Sequence, residues 1–85
     1  MDKHALSEHM RTFLLKLRED SKLSQEEVSK RSGMIEGKFI LDQKTVSRIE
    51  KKPLDGDTFK VAAYMSAIGS SLDAFTKEMQ SFIEK

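Results

Sequence analysis

The sequence predicts an all-α fold: five short helices in a single domain over residues 1–85. Two observations predict it. Apolar residues recur at helical spacing in four segments, and Ser or Asp stands at the head of nearly every segment while Gly or Pro stands at its end. At 85 residues, 38% hydrophobic and 34% charged, the chain suits one modest core and argues against disorder.

Leu6, Met10, Phe13, Leu14 and Leu17 mark one face of a first helix over about 3–20. Ser24 and Glu27 form a capping box, and Leu23 can staple onto Val28. A second helix therefore covers about 24–32, stopped by Gly33. Residues 34–41 place apolar groups on both sides of Glu36-Gly37, which suits a turn or a tiny hairpin. Asp42 heads a third helix over about 43–51, which Pro53 ends. Asp57 caps a fourth over about 58–68, with Val61, Met65 and Ile68 inward and Phe59, Ala62 and Tyr64 adding width. Ser71 caps a fifth over about 71–84, carrying Leu72, Phe75, Met79, Phe82 and Ile83 at helical spacing.

Charge is unevenly spread. The whole chain is +1, but residues 30–52 alone carry +4, against −1 before and −2 after. A local positive field can draw a polyanion to one face of a near-neutral protein. Two short helices joined by a turn, the second basic on one side, are the sequence form of a helix-turn-helix. Gln43, Lys44, Ser47 and Arg48 occupy that side. Gln can pair with adenine, Arg or Lys with guanine, and Ser is short enough to allow close approach in the major groove. The same residues also suit an ordinary solvated helix face.

The run Leu23-Ser24-Gln25-Glu26-Glu27-Val28, then Ser32-Gly33, then Thr45-Val46-Ser47-Arg48-Ile49-Glu50 resembles the Cro and lambda-repressor-like helix-turn-helix family. So does the closing Ala67-Ile68-Gly69-Ser70-Ser71-Leu72-Asp73-Ala74-Phe75. The resemblance spans about 6–75 and implies a compact five-helix domain whose third helix reads double-stranded DNA. It implies base or phosphate contacts for Gln43, Lys44, Ser47 and Arg48, phosphate contacts for Lys51 and Lys52, and for Gln25 a phosphate contact made while bracing the third helix. It also implies a structural salt bridge between Arg18 and Glu50. The function expected is that of a transcription regulator, a repressor acting as a homodimer on a palindromic operator in a cytoplasmic bacterial, phage or mobile-element setting. The competing expectations are an antitoxin that also binds a toxin, and an interaction module that has lost DNA binding.

The chain departs from the family in its turn, which holds about seven extra residues between Gly33 and Asp42. One reading is a further DNA contact through Lys38. Another is a knob for a protein partner at 35–40, made by Ile35, Phe39 and Ile40. Large apolar residues seldom stay wet, which favours the third reading, a loop folded back on the core. On the fifth helix, Phe75, Met79, Phe82 and Ile83 make a seam past the family match; half of it suits covering the core, and the remainder is a candidate dimer surface.

Other chemistries find no support in the residues. There is no Cys, His4 and His9 are five apart, and Asp55 and Asp57 lack a calcium-loop pattern, so no metal is expected. No phosphate loop, nucleophile elbow or dinucleotide fingerprint is present, so neither a cofactor nor an enzyme is expected. No apolar run reaches the ~18–20 residues that cross a bilayer, and the first residues lack the pattern of a signal peptide.

Overall fold

The computed structural model describes residues 2–85. Five helices carry the described chain: α1 (Lys3–Asp20), α2 (Gln25–Arg31), α3 (Gln43–Lys51), α4 (Thr58–Ala67) and α5 (Leu72–Ile83). A two-stranded antiparallel ribbon, β1 (Met34–Ile35) and β2 (Lys38–Phe39), lies between α2 and α3. A single 3-10 turn, Pro53–Asp55, joins α3 to α4.

Each helix starts where a short polar side chain can take up a free backbone N–H. Asp2, Ser24, Asp42, Asp57 and Ser71 all do so. At α2 the full capping box forms: Glu27 N–H donates to Ser24 Oγ at 3.1 Å and Ser24 N–H donates to Glu27 Oε1 at 3.0 Å. Those hydrogen bonds hold the Glu27 carboxyl below its ordinary pKa. Asp42 is lowered for the same reason, by the Thr45 N–H at 2.7 Å.

One core unites the helices. Leu6, Met10 and Leu14 of α1 meet Val28, Leu41, Val46, Ile49, Val61, Tyr64, Met65 and Phe75, with Phe13, Leu17, Ile40, Met79 and Phe82 packed around them. The apolar spacing that predicts α1 is thus the face that is buried.

The inserted segment is a hairpin. Glu36 and Gly37 both adopt positive φ, 54° and 79°. That is the mirror-image two-residue turn whose twist matches paired strands. Its root is tied down by α2. Ser29 Oγ donates to the Leu41 carbonyl at 2.6 Å, and Leu41 N–H donates to Ser32 Oγ at 3.1 Å. Leu41 itself is fully buried. Here the expectation of a loop folded back on the core needs correction. Ile40 does pack on the core, but Ile35 and Phe39 stay exposed, because alternation along so short a ribbon leaves both its faces standing off the body.

A second correction concerns α5. Phe75 is only 6% exposed and belongs to the core, and Met79 and Phe82 pack against it. Phe82 also stacks on the His9 ring of α1, centroids 4.4 Å apart, while His9 Nε2 lies 2.7 Å from Glu78 Oε2. Three of the four residues expected at a dimer surface are therefore occupied within one chain, and Ile83 alone is well exposed.

The end of α1 yields a stability prediction. Leu23 N–H donates to the Arg18 carbonyl and Lys22 N–H to that of Glu19, a closing turn that requires a left-handed residue at 22. Lys22 takes that role at φ 59°, where a side chain costs roughly 1–2 kcal/mol. Lys22→Gly removes the strain at a smaller entropic cost. Urea denaturation should show the variant more stable by about 0.5–1 kcal/mol; a less stable variant would contradict the turn.

Candidate nucleic-acid interface

The candidate interface is built on α3, a two-sided helix. Val46, Ile49 and Glu50 are buried, whereas Gln43, Lys44, Arg48 and Lys51 are exposed and Ser47 is half-buried. The 3.6-residue repeat sorts most of them: 46, 49 and 50 fall together and 44, 47, 48 and 51 fall opposite, while Gln43 lies near the line of Glu50 and is exposed at the helix start. Lys52 ends the helix at φ −135° and ψ 69°, outside the helical region that the ring of the following Pro53 disfavours.

What fixes this helix is a buried carboxylate. Glu50 is 3% exposed and accepts three side-chain hydrogen bonds. Arg18 Nε of α1 donates to its Oε2 at 2.5 Å, the Tyr64 hydroxyl of α4 donates to the same oxygen at 2.5 Å, and Gln25 Nε2 of α2 donates to Oε1 at 2.7 Å. Arg18 also donates through Nη1 to the Leu23 carbonyl at 3.1 Å. Four helices thus meet at one side chain. Burial works against the Arg18 charge, but the hydrogen bond and charge of Glu50 outweigh it and raise the guanidinium's pKa. Burial also drives the Tyr64 phenol far above its ordinary range, with the Glu50 hydrogen bond and charge adding to it.

The predicted site residues distribute as follows. Lys44, Ser47, Arg48, Lys51 and Lys52 line one shallow hollow along α3. Among the described residues none of these cations has a carboxylate within ion-pair distance. Gln43 is exposed at the first turn of the same helix. Gln25 stands at the first turn of α2 with one amide donor committed to Glu50, which leaves the other for a phosphate. Lys38 is exposed on β2, outside the hollow.

Sequence reasoning missed two participants. Lys60 of α4 lines a second hollow with Arg48 and Lys52, adding a cation from another element, alongside the carboxylates of Asp55 and Asp57. No local pattern marks it. Tyr64 was read as part of the apolar stripe of α4. The signal available was its hydroxyl, since a buried phenol needs a polar partner. His4 is exposed and His9 is engaged with Glu78; among the described residues no group of three or more His, Asp or Glu is placed to hold a metal. No helix of the described residues is long and apolar enough to cross a membrane.

Tyr64 is the chain's only tyrosine, and there is no tryptophan, so near-ultraviolet phenolate absorbance reads it alone. An acid whose neutral form is held by the fold contributes stability that is intact below the unfolded pKa and lost as pH rises above it. Titration should show no phenolate through the ordinary value of 10.0 while the protein remains folded, with ionisation appearing only as it unfolds. Phenolate forming at 10.0 with the helices intact would contradict the buried bond. In the same assay series, Arg18→Ala should cost about 3–5 kcal/mol of unfolding free energy, because it strands the Glu50 charge.

Comparison with known proteins identifies no relative: no family model, no curated protein and no solved structure matches this chain.

Proposed function

We propose that the protein is a sequence-specific DNA-binding regulator in which α3 enters the major groove and α2 braces it, a Cro and lambda-repressor-like arrangement with a hairpin inserted between the two helices. One observation carries this reading. The solvent side of α3 presents Gln43, Lys44, Ser47, Arg48 and Lys51 on a single helix, with its cations unpaired among the described residues. Opposite charges three or four apart stabilise an exposed helix face, as Lys30 and Glu26 do on α2 at 3.3 Å, and the solvent side of α3 holds no such pair among the described residues. Unpaired cations in a row suit a polyanion whose own charges are regularly spaced.

The division of labour follows from reach. Gln43, Lys44, Ser47 and Arg48 stand where a groove-seated helix meets base edges, and they carry specificity. Lys51, Lys52 and Lys60 stand toward the end of α3 and the start of α4, and they carry sequence-independent attraction to phosphates. Gln25 joins that group through the amide donor that Glu50 leaves free. The Glu50 network matters here because a helix that reads bases must be held in one orientation, and a carboxylate bound by three other helices resists rocking.

The test is selection of bound duplexes from a randomised pool, followed by affinity measurements across a salt series. An enriched two-fold symmetric motif, with affinity falling as salt rises, is the expected result. Arg48→Ala should cost about 1–3 kcal/mol on the selected site and relax preference at one base pair, whereas Lys51→Ala should weaken all sequences alike and lower the salt slope by about one. Absence of retention at low salt, with the protein folded, would overturn the reading.

A further inference from the structure

The hairpin that lengthens the turn is where the molecule leaves most apolar surface in water. Met34 is 57% exposed, Ile35 55% and Phe39 43%. Elsewhere among the described residues only Phe59 and Ile83 are comparably large, apolar and exposed, and each stands on a separate helix. The ribbon is not a loose loop. Its turn residues hold the two positive φ angles it needs, its root is bonded to α2 through Leu41, and Ile40 N–H donates to the Gly33 carbonyl at 2.9 Å.

Its backbone is also unfinished. Antiparallel pairs alternate between bonded and unbonded. Gly33 with Ile40 is a bonded pair, so Met34 with Phe39 is unbonded and Ile35 with Lys38 is bonded. The N–H and C=O of Met34 and of Phe39 therefore point outward, and among the described residues no hydrogen bond takes them up. An exposed edge of this kind is a template for another strand.

We infer that a second copy of this chain pairs with the ribbon along β1, about a two-fold axis through Met34, forming a four-stranded sheet. Register selects this edge. With Met34 opposite Met34 of the second copy, one face of the sheet carries an unbroken apolar row: Phe39, Met34, then Met34 and Phe39 of the second copy. On the other face Ile35 lies opposite Gly33, which has no side chain and leaves it room. Glu36 at the tip is brought toward the last turn of the second copy's α2, where Arg31 is exposed and has no ion-pair partner among the described residues. Pairing along β2 would instead set the two copies' Lys38 side chains diagonally across the sheet, where like charges repel. The contact goes beyond the DNA-binding reading: it names the surface that makes the molecule two-fold, and it replaces α5, whose seam is spent on the core.

The experiment is sedimentation equilibrium of the full chain without DNA, over a concentration series. Wild type should form a reversible dimer. Met34→Asp should weaken it by about tenfold or more. Glu36→Arg alone should weaken it, and adding Arg31→Glu should restore it. Because these side chains are exposed, thermal melts of the variants at low concentration should match wild type. Ile83→Asp should leave the dimer intact. A wild-type monomer at every concentration, a Met34→Asp dimer of unchanged strength, a charge swap that fails to restore it, or dissociation by Ile83→Asp would each overturn the inference. Binding of a monomeric variant to half-site DNA reports the DNA reading separately, so the two can fail independently.

Discussion

The Glu50 carboxylate is the point on which the rest of the arrangement depends. A buried charge is costly unless it is paired and hydrogen-bonded. Here the cost is offset by Arg18, Gln25 and Tyr64, one donor from each of the other three helices it touches. Such a group has little tolerance for movement, since sliding any one helix would leave a lone pair or a guanidinium without its partner. Apolar packing of Val46 and Ile49 attaches α3 to the core, but apolar contacts alone permit small rotations. The polar network selects one of them, and so determines which side chains α3 turns to solvent.

Orientation and charge are thereby coupled. The buried side of α3 holds an anion neutralised from within, so the exposed side is left with cations that have no internal role. Glu50 is the sole acidic residue of α3, and because it is turned inward and paired with Arg18 the exposed side of that helix carries cations and no carboxylate. The hairpin leaves this geometry undisturbed. Leu41 returns the chain to the core through two bonds to α2, so Asp42 can cap α3 as though the insertion were absent.

Much of this was legible in the sequence, and the exceptions have physical reasons. Caps and apolar periodicity are local, and they place α1 to α5 to within a residue or two at each end. The Arg18–Glu50 pair came through a resemblance, and the geometry places those atoms 2.5 Å apart. The Tyr64 bond to the same carboxylate was not legible, because it joins residues 14 positions apart and no local pattern encodes such a meeting; the resemblance gave Gln25 a bracing role toward α3, and the structure gives that brace its acceptor, Glu50. Glu36-Gly37 announced a turn, but not that Ile35 and Phe39 would remain in water, since that depends on how far the ribbon stands from the body. On α5, helical spacing identified an apolar seam correctly but could not tell a core-facing seam from a partner-facing one. The packing of Phe75 and the stacking of Phe82 on His9 decide that.

The central claim is that the solvent side of α3 is a DNA-reading surface held in place from behind. It is tested most directly by backbone amide NMR of the labelled protein titrated with its selected duplex. The account predicts perturbations concentrated at Gln43, Lys44, Ser47, Arg48 and Lys51 and at the α2 start around Gln25, with the α1–α5 contact of His9 and Glu78 unmoved. Perturbations centred on α1 and α5, with α3 silent, would contradict it.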